Sequence, residues 1–432
     1  MGVFLRSILL LLIIQCWVNG AVLADTLTLE QATSIATLHN PQLKVAKAKL
    51  GISEAEIQTA RARLNPKVLS DNGFAEDTYR AGIEQVIELG GKRHKRVALA
   101  KAQQAVVQSE IDAALLALRI SVRRAYTQLY LGQERQKAYE ELLNNTQKLL
   151  SITQKREQAG DVSQLDVLQA DIAMINAKND LQTLTNQQLQ AKHQLNSLLN
   201  QPLDTPLTLA PPNSFPTLSP STLSTGQTMP NSDGSILKGE IQHTSFSLDS
   251  LIESALNTRP EMKQNQKGQE AAKQELLLTQ ANRIPNLSLT AGPDIVVPKG
   301  GDNRFNAFVI ANMELPVWDR QQGPIQKVQA EQVVLEQGQA ALKNQIVLEV
   351  TNAYHTFFAH QNRVMWYETE LLPKANTVVE KSHRSFEEGK SSILIPLNAQ
   401  QAYSNVRLGY LQALVDLQNT ISDLEAAIGS GL

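Results

Sequence analysis

The chain carries one pattern twice, and this internal duplication limits its fold more than any other feature of the sequence. The matching residues are Leu29 and Leu248, Pro41 and Pro260, Pro66 and Pro285, Glu88 and Glu314, Tyr126 and Tyr354, and Gly160 and Gly389. The offset is 219 for the first three pairs and grows to 226, 228 and 229 in the others. A slowly growing offset indicates two homologous halves with small insertions in the second half.

The two halves are separated by a segment rich in proline, serine and threonine. We assign residues 25–199 to the first repeat, 200–245 to the linker and 246–432 to the second repeat. Such a composition disfavours regular structure and predicts an irregular connection along the surface.

Residues 1–24 have the form of an exported protein's signal peptide. Arg6 supplies the positive charge, 7–14 is an apolar run too short to span a bilayer, and cleavage is predicted after Ala24. The only cysteine, Cys16, lies inside this segment, so the mature chain is predicted to have no disulfide and no thiolate metal site. No later segment resembles a transmembrane helix, so any membrane crossing would have to use strands.

Within each half the pattern predicts a helix, two strands, a long helix, a turn and another long helix. The first helix begins at Thr28 with a capping box and ends at Asn65-Pro66, since proline disfavours helix in the residue before it. From about 91 to 158 almost no helix breaker occurs. At 1.5 Å per residue this helix would be about 100 Å long, which predicts packing as a bundle or coiled coil. Ser163 with Asp166 caps the next helix, which runs to about Leu199.

A different period lies between the helices of each half, where apolar and polar residues alternate along one strand. The apolar positions are led by Tyr79, Ile83 and Ile87 in the first half and by Phe305, Val309 and Met313 in the second. Period two over about 11 residues is typical of a barrel strand with one face to lipid, although a soluble β-hairpin on a helical body has the same pattern. Preceding strands are predicted over 67–74 and 286–297.

Four strands cannot close a barrel, because the smallest barrels have about 8. Membrane insertion would therefore require several chains.

Four local segments carry a family resemblance. They are Glu88-Leu89-Gly90-Gly91-Lys92-Arg93, Arg259-Pro260-Glu261, the run from Leu315 to Ile325, and Gly160 followed by Leu165 to Ala170. In this order and spacing, the whole mature chain resembles the TolC-type outer-membrane factor family, and within it the heavy-metal efflux (CzcC-like) branch.

The resemblance implies a mainly α fold with a small β part. Long antiparallel helical hairpins would form an α-barrel tunnel through the periplasm, and four membrane β-strands per chain would form a shared trimeric barrel in outer-membrane lipid. The homotrimer would meet a periplasmic adaptor protein fed by an RND-type inner-membrane pump in a Gram-negative-type cell. The implied function is a passive exit duct, not an enzyme, for heavy-metal cations. Drug efflux and type I protein secretion stay open, as does a soluble periplasmic coiled-coil scaffold or adaptor.

The same resemblance places candidate site residues at the helical-hairpin tips. Gly160, Leu165, Gly389 and Leu394 would form the tips that dock the adaptor. Leu165 and Leu394 have a second interpretation, in which they only seal the hairpin against its neighbours. Asp166 and Asn398 stand where a pore constriction would form. An acidic ring from the second repeat is doubtful, since Asn398 is not acidic.

The sequence has few features that would indicate another functional class. A net charge of −2 does not predict nucleic-acid binding. His355 and His360 are five positions apart and so do not share a helix face as zinc ligands would. We predict no catalytic residue, metal site or cofactor. The basic run 92–96 is interpreted as a solvated helix start.

Overall fold

The computed structural model of the protein describes residues 26–73, 77–211, 247–297 and 304–429. The first repeat contains α1 (Leu29–His39), α2 (Pro41–Arg61), β1 (Lys67–Gly73), β2 (Asp77–Ile87), α3 (Lys92–Gln158) and α4 (Gln164–Leu198). The second contains α5 (Leu248–Thr258), α6 (Pro260–Ala281), β3 (Leu287–Val297), β4 (Arg304–Met313), α7 (Gln322–Trp366), a π-helical turn (Tyr367–Leu371), α8 (Leu372–Glu387) and α9 (Leu394–Ile428). The predicted order of helices and strands is therefore present in both halves. The predicted signal peptide and most of the predicted linker lie outside the described residues.

The prediction of a single first helix is wrong, because that helix is broken at the same place in each repeat. Asn40 has an extended backbone with ψ of 125°, and α2 starts at Pro41. Arg259 has ψ of 130° before Pro260, which starts α6. The proline ring clashes with a helical residue before it, so each break follows from the sequence. The predicted capping box is confirmed, with Gln31 N–H donating to Thr28 Oγ1.

The π-helical turn lies in a stretch of the second repeat that contains one inserted residue. Between Tyr126 and Gly160 the offset to the second repeat grows from 228 to 229, so the second repeat has one extra residue there. Tyr367–Leu371 lies within the matching stretch of the second repeat. A wider turn accommodates one extra residue without ending the helix.

The described chain divides into two compact units, and each contains parts of both repeats. The first unit holds the described residues of Met1–Asn40, Arg119–Ile241 and Ala359–Ser422. The second holds those of Pro41–Leu118, Gln242–Phe358 and Asp423–Leu432. The division into 25–199, 200–245 and 246–432 stays a prediction about ancestry, since compactness does not test it.

In the first unit, the beginning of the linker is attached to the N-terminal segment. Leu27 and Leu209 form a parallel bridge. The buried Tyr126 hydroxyl lies 2.7 Å from the Leu27 carbonyl oxygen and 2.6 Å from that of Ala210. Burial raises the pKa of Tyr126 to about 12, so its proton is present as a donor at physiological pH.

In the second unit, the helices are held by small apolar clusters. Met262 of α6 packs against Ile346 and Val350 of α7, together with the end of α9. Ile57 and Ala60 of α2 pack on α3. The same unit contains the four strands found among the described residues, which form one antiparallel sheet in the order β1-β2-β3-β4. Within the described ranges, no helix is both long enough and apolar enough to cross a membrane.

Candidate functional site

The register of the sheet puts the six predicted lipid-facing residues on one face. Directly opposed residues of antiparallel strands share a face, and the pairing forms three rows across β2, β3 and β4. The rows are Tyr79–Ile295–Phe305, Ile83–Ala291–Val309 and Ile87–Leu287–Met313. Each of the six predicted positions is exposed, up to 77% at Val309. This apolar face is an unusual surface to leave in water.

The opposite face of the sheet carries most of the charged groups, beside apolar residues such as Phe308 and Ile310. Arg80 Nε lies 3.4 Å from Asp294 Oδ1 in an ion pair across β2 and β3. The Arg80 guanidinium also lies 5.9 Å from the centre of the Phe308 ring on β4. Charged groups on one face and apolar groups on the other are what a strand between lipid and water requires.

Both edges of the sheet are open. Among the described residues, β1 pairs only with β2 and β4 only with β3. Unpaired backbone groups at a sheet edge form a template for another strand, and in lipid they would have to be paired.

Gly160 and Gly389, which stand at the predicted helical tips, lie in turns of one type. Gly160 and Gly389 have φ of +79° and +73°, the left-handed region that favours glycine. In the first tip the Asp161 N–H donates to the Arg156 carbonyl oxygen over 2.8 Å, and in the second the Lys390 N–H donates to that of Ser385 over 2.9 Å. Both are Schellman-type helix ends, which reverse the chain sharply.

The first unit brings the two tips into contact. Phe386, before the second tip, is 1% exposed and packs against Leu149 of α3 and Ile393. Arg156, before the first tip, donates from Nη1 to the Phe386 carbonyl oxygen over 2.9 Å. Its guanidinium lies 4.7 Å from the centre of the Phe386 ring, a cation–π contact.

The other predicted tip residues are accessible within the chain. Leu165 and Leu394 are exposed, so neither is buried as a seal of its own hairpin. Asp166 accepts from the Ser163 N–H over 2.9 Å and completes the predicted capping box of α4. Asn398 is exposed, and Pro396 lies in the first turn of α9, where proline is tolerated. The roles of these residues in docking and constriction stay predictions.

The basic run 92–96 differs from its interpretation as a solvated helix start. Lys92 is buried, its Nζ donates to Asn286 Oδ1 over 2.6 Å, and burial lowers its pKa. Arg93 Nε donates to the Arg61 carbonyl oxygen over 2.7 Å, and Arg96 donates to two others at the end of α2. Arg93 and Arg96 thus satisfy orphan carbonyl groups at the C-terminus of α2. This capping role depends on how close the start of α3 lies to the end of α2. The sequence alone does not reveal that distance.

Metal-binding geometry is not found in the part of the chain that the structure describes. No three or more His, Cys, Asp and Glu side chains converge there as ligands. The features that stand out are therefore surfaces: an apolar sheet face, two open sheet edges and a pair of joined helical tips.

Comparison with known proteins agrees with this set of features. The family model "Outer membrane efflux protein" matches residues 32–201 and 251–430. The chain is 23% identical to the cobalt-zinc-cadmium resistance protein CzcC of Cupriavidus metallidurans over 410 residues, 94% of this chain and 91% of that protein.

Solved structures show the same fold. CusC superposes with a TM-score of 0.72 at 16% identity, covering 93% of this chain and 92% of CusC. The outer membrane protein VceC of Vibrio cholerae superposes with a TM-score of 0.70 at 17% identity, covering 93% of this chain and 96% of VceC. The family model spans most of the chain in two segments that correspond to its two halves, and the family is one of channels rather than enzymes. The chain therefore belongs to the outer membrane efflux protein family.

Proposed function

We propose that the protein is one subunit of a homotrimeric exit duct that opens through the outer membrane. Three copies would contribute twelve strands to one shared barrel, with the apolar rows toward lipid and the Arg80–Asp294 face toward water. The observation that carries this proposal is the register that assembles six exposed apolar residues on one face of a sheet with two open edges. Pairing of the edges between copies satisfies the backbone groups that lipid cannot satisfy.

The duct itself is passive. A water-filled passage lowers the barrier to crossing the membrane, and the driving force comes from an inner-membrane pump through a periplasmic adaptor. We assign adaptor docking to the hairpin tips, where Gly160 and Gly389 turn the chain and Leu165 and Leu394 present exposed apolar groups. Asp166 and Asn398, just beyond the tips, are the proposed constriction.

Fractionation of membranes from a Gram-negative host, followed by detergent extraction and mass measurement, tests this proposal. We expect an outer-membrane particle with three times the mass of the mature chain. Val309→Arg places a charge at the centre of the apolar rows, which costs about 2–4 kcal/mol at the bilayer midplane. We therefore expect at least a tenfold loss of the outer-membrane trimer. Val378→Arg is the matched control, since Val378 is exposed on α8. A soluble periplasmic monomer or dimer, or a fully assembled Val309→Arg protein, would contradict the proposal.

The proposed cargo is divalent heavy-metal cations, and the name of CzcC supports this choice. Removal of this chain from its host is expected to lower the tolerated concentration of Co²⁺, Zn²⁺ or Cd²⁺ by severalfold. Tolerance of organic antibiotics serves as the comparison. A host that loses antibiotic tolerance but keeps metal tolerance would move the assignment to drug efflux.

A further inference from the structure

The loop between β4 and α7, residues 314–321, presents three apolar side chains that the described chain does not cover. Leu315, Val317 and Trp318 are 75%, 54% and 89% exposed. A cluster of large exposed apolar side chains usually marks a contact with another protein or with a membrane. The shape, position and charge of this β4–α7 loop indicate which of the two it is.

Hydrogen bonds hold the β4–α7 loop in one folded turn. The Gln322 side chain contacts the turn at two places, since its Oε1 accepts from the Arg320 N–H over 2.8 Å and its Nε2 donates to the Trp318 carbonyl oxygen over 3.2 Å. From just beyond α6, Arg283 Nε donates to the Arg320 carbonyl oxygen over 3.1 Å. The loop is therefore a built feature that holds the Trp318 ring in the open, and the Arg320 guanidinium takes no part in these bonds.

The β4–α7 loop lies where the apolar face of the sheet ends. The last apolar row is Ile87–Leu287–Met313, and Leu315 follows Met313 by two positions, the period of a strand. Since β1 and β3 begin at this end of the sheet and β2 and β4 finish there, all four strands join their helices at the same end. In the proposed channel this end is the periplasmic boundary of the bilayer, and tryptophan is enriched where a membrane meets water.

The same end of the sheet carries an excess of positive charge. Its exposed carboxylates are Glu314 and Asp319, and the half-buried Glu88 is paired with Arg96 over 2.6 Å. The exposed cations in the segments that join the sheet to the helices are more numerous, and we name them the connector cations: Arg61, Arg63, Lys67, Arg283 and Arg320. None of these five forms an ion pair with a described residue. Uncompensated cations beside a bilayer attract anionic lipid headgroups.

The connector cations also favour lipid over a second copy of the chain as the partner of the loop. In the proposed trimer the open edge of β4 faces the open edge of β1 in the next copy, and Arg61, Arg63 and Lys67 lie beside β1. A protein contact there would bring these cations toward Arg320, and like charges repel. An anion between them removes the repulsion, and a guanidinium binds phosphate through two parallel hydrogen bonds.

We infer that the β4–α7 loop and Arg283 form a binding site for an anionic phospholipid of the periplasmic leaflet. The guanidinium groups of Arg283 and Arg320 bind the phosphate, and the Trp318 ring lies at the level of the glycerol backbone. Leu315 and Val317 contact the acyl chains. The inference rests on the proposed function. It adds to that function a lipid of defined charge at a defined loop, whereas the apolar rows of the sheet require only hydrocarbon.

Fluorescence quenching tests the depth of the loop in the bilayer. The tryptophans of the chain are Trp17, Trp318 and Trp366, so Trp17→Phe with Trp366→Phe leaves only Trp318. The purified protein is reconstituted into vesicles of phosphatidylcholine and phosphatidylglycerol with brominated acyl chains. Bromine near the glycerol end of the chain is expected to quench Trp318 at least about twice as strongly as bromine near the methyl end. The matched control keeps only Trp366, which belongs to the other compact unit, and neither bromine position should quench it.

Bromine on only one of the two lipids tests the headgroup. Brominated phosphatidylglycerol should quench Trp318 at about one fifth of the mole fraction that brominated phosphatidylcholine requires, since each nearby cation favours an anionic headgroup by about fivefold. Arg283→Gln combined with Arg320→Gln should abolish this preference. Lys263→Gln combined with Lys343→Gln removes the same charge from exposed positions within α6 and α7, and should leave the preference intact.

Lipid analysis gives a second readout that needs no tryptophan substitution. The protein extracted from outer membranes in mild detergent should carry phosphatidylglycerol enriched severalfold over its share of the membrane lipid. The variant with both arginines replaced should lose the enrichment. Lipid A in place of the phospholipid would put the loop in the outer leaflet and overturn the inference.

The outcomes separate the lipid site from the channel proposal. A trimer that enters the vesicles without quenching of Trp318 overturns the lipid site and leaves the channel standing. Quenching of Trp318 that is equal for the two headgroups overturns the anionic site in the same way. A protein that enters neither the outer membrane nor the vesicles overturns both proposals.

Discussion

Gly292→Ala is expected to abolish the assembled outer-membrane form of the protein. A Cβ atom built on Gly292 would lie 1.9 Å from the Ala81 carbonyl oxygen and 2.7 Å from Gly82 Cα. Both neighbours are backbone atoms of β2, so no side chain can rotate away. The register of β2 and β3 already has a gap at Gly292, between the pairs Arg80–Asp294 and Ile83–Ala291. An alanine would therefore force β2 and β3 apart, and this would separate the strands of the first repeat from those of the second.

We expect the cost to exceed about 3 kcal/mol, the upper range for overpacking, and the trimer yield to fall more than a hundredfold. Far-ultraviolet circular dichroism of the refolded protein should change little, since the helices are untouched. Gly132→Ala is the matched control, because Gly132 lies inside α3 with no atom close to its would-be Cβ. It should be neutral or stabilising by about 1 kcal/mol. A Gly292→Ala protein that assembles normally would contradict the close approach of β2 and β3.

Local sequence signals predicted the elements well, because each depends on neighbouring residues. The alternation around Ile83 and Val309 predicted strands, and the structure has strands there over 77–87 and 304–313. The capping signals at Thr28 and Ser163, and the long breaker-free run, predicted helix limits that the structure confirms.

These local signals do not predict which strands of the two repeats pair with each other. That β2 lies beside β3 depends on segments about 200 positions apart, and no local period encodes their neighbourhood. Gly292 therefore looked like any glycine in a strand, although its missing side chain is essential. The sequence does not single out Phe386 and Arg156 for the same reason, since each is ordinary within its own helix and acquires a role only through contact with the other tip.

Local patterns likewise predict some of the site residues and not others. The six predicted lipid-facing residues share one face because the alternation along each strand agrees with the register between the strands. The sequence allows two interpretations of Leu165 and Leu394, and both side chains are exposed among the described residues.

Phe386→Ala is expected to stop export while leaving the channel in the membrane. The side chain is 1% exposed, and its removal leaves a cavity beside Leu149 and Ile393. Truncation of a buried phenylalanine costs about 3–5 kcal/mol, and here it also removes the ring under the Arg156 guanidinium. The two tips would then lose their main contact. The sheet belongs to the other compact unit, so outer-membrane insertion should persist.

Three measurements on the same cells check this result. Trimer yield should remain within about twofold of the wild type, whereas metal tolerance should fall to that of cells lacking the protein. Trypsin should gain access at Arg156 and Lys390, which flank the tips. Phe386→Leu keeps most of the apolar volume and should retain tolerance, since volume-conserving exchanges cost less than about 1.5 kcal/mol. Full export by Phe386→Ala without new cleavage would show that the tips do not depend on this contact. Loss of the trimer would show that the tips and the sheet fold as one cooperative unit.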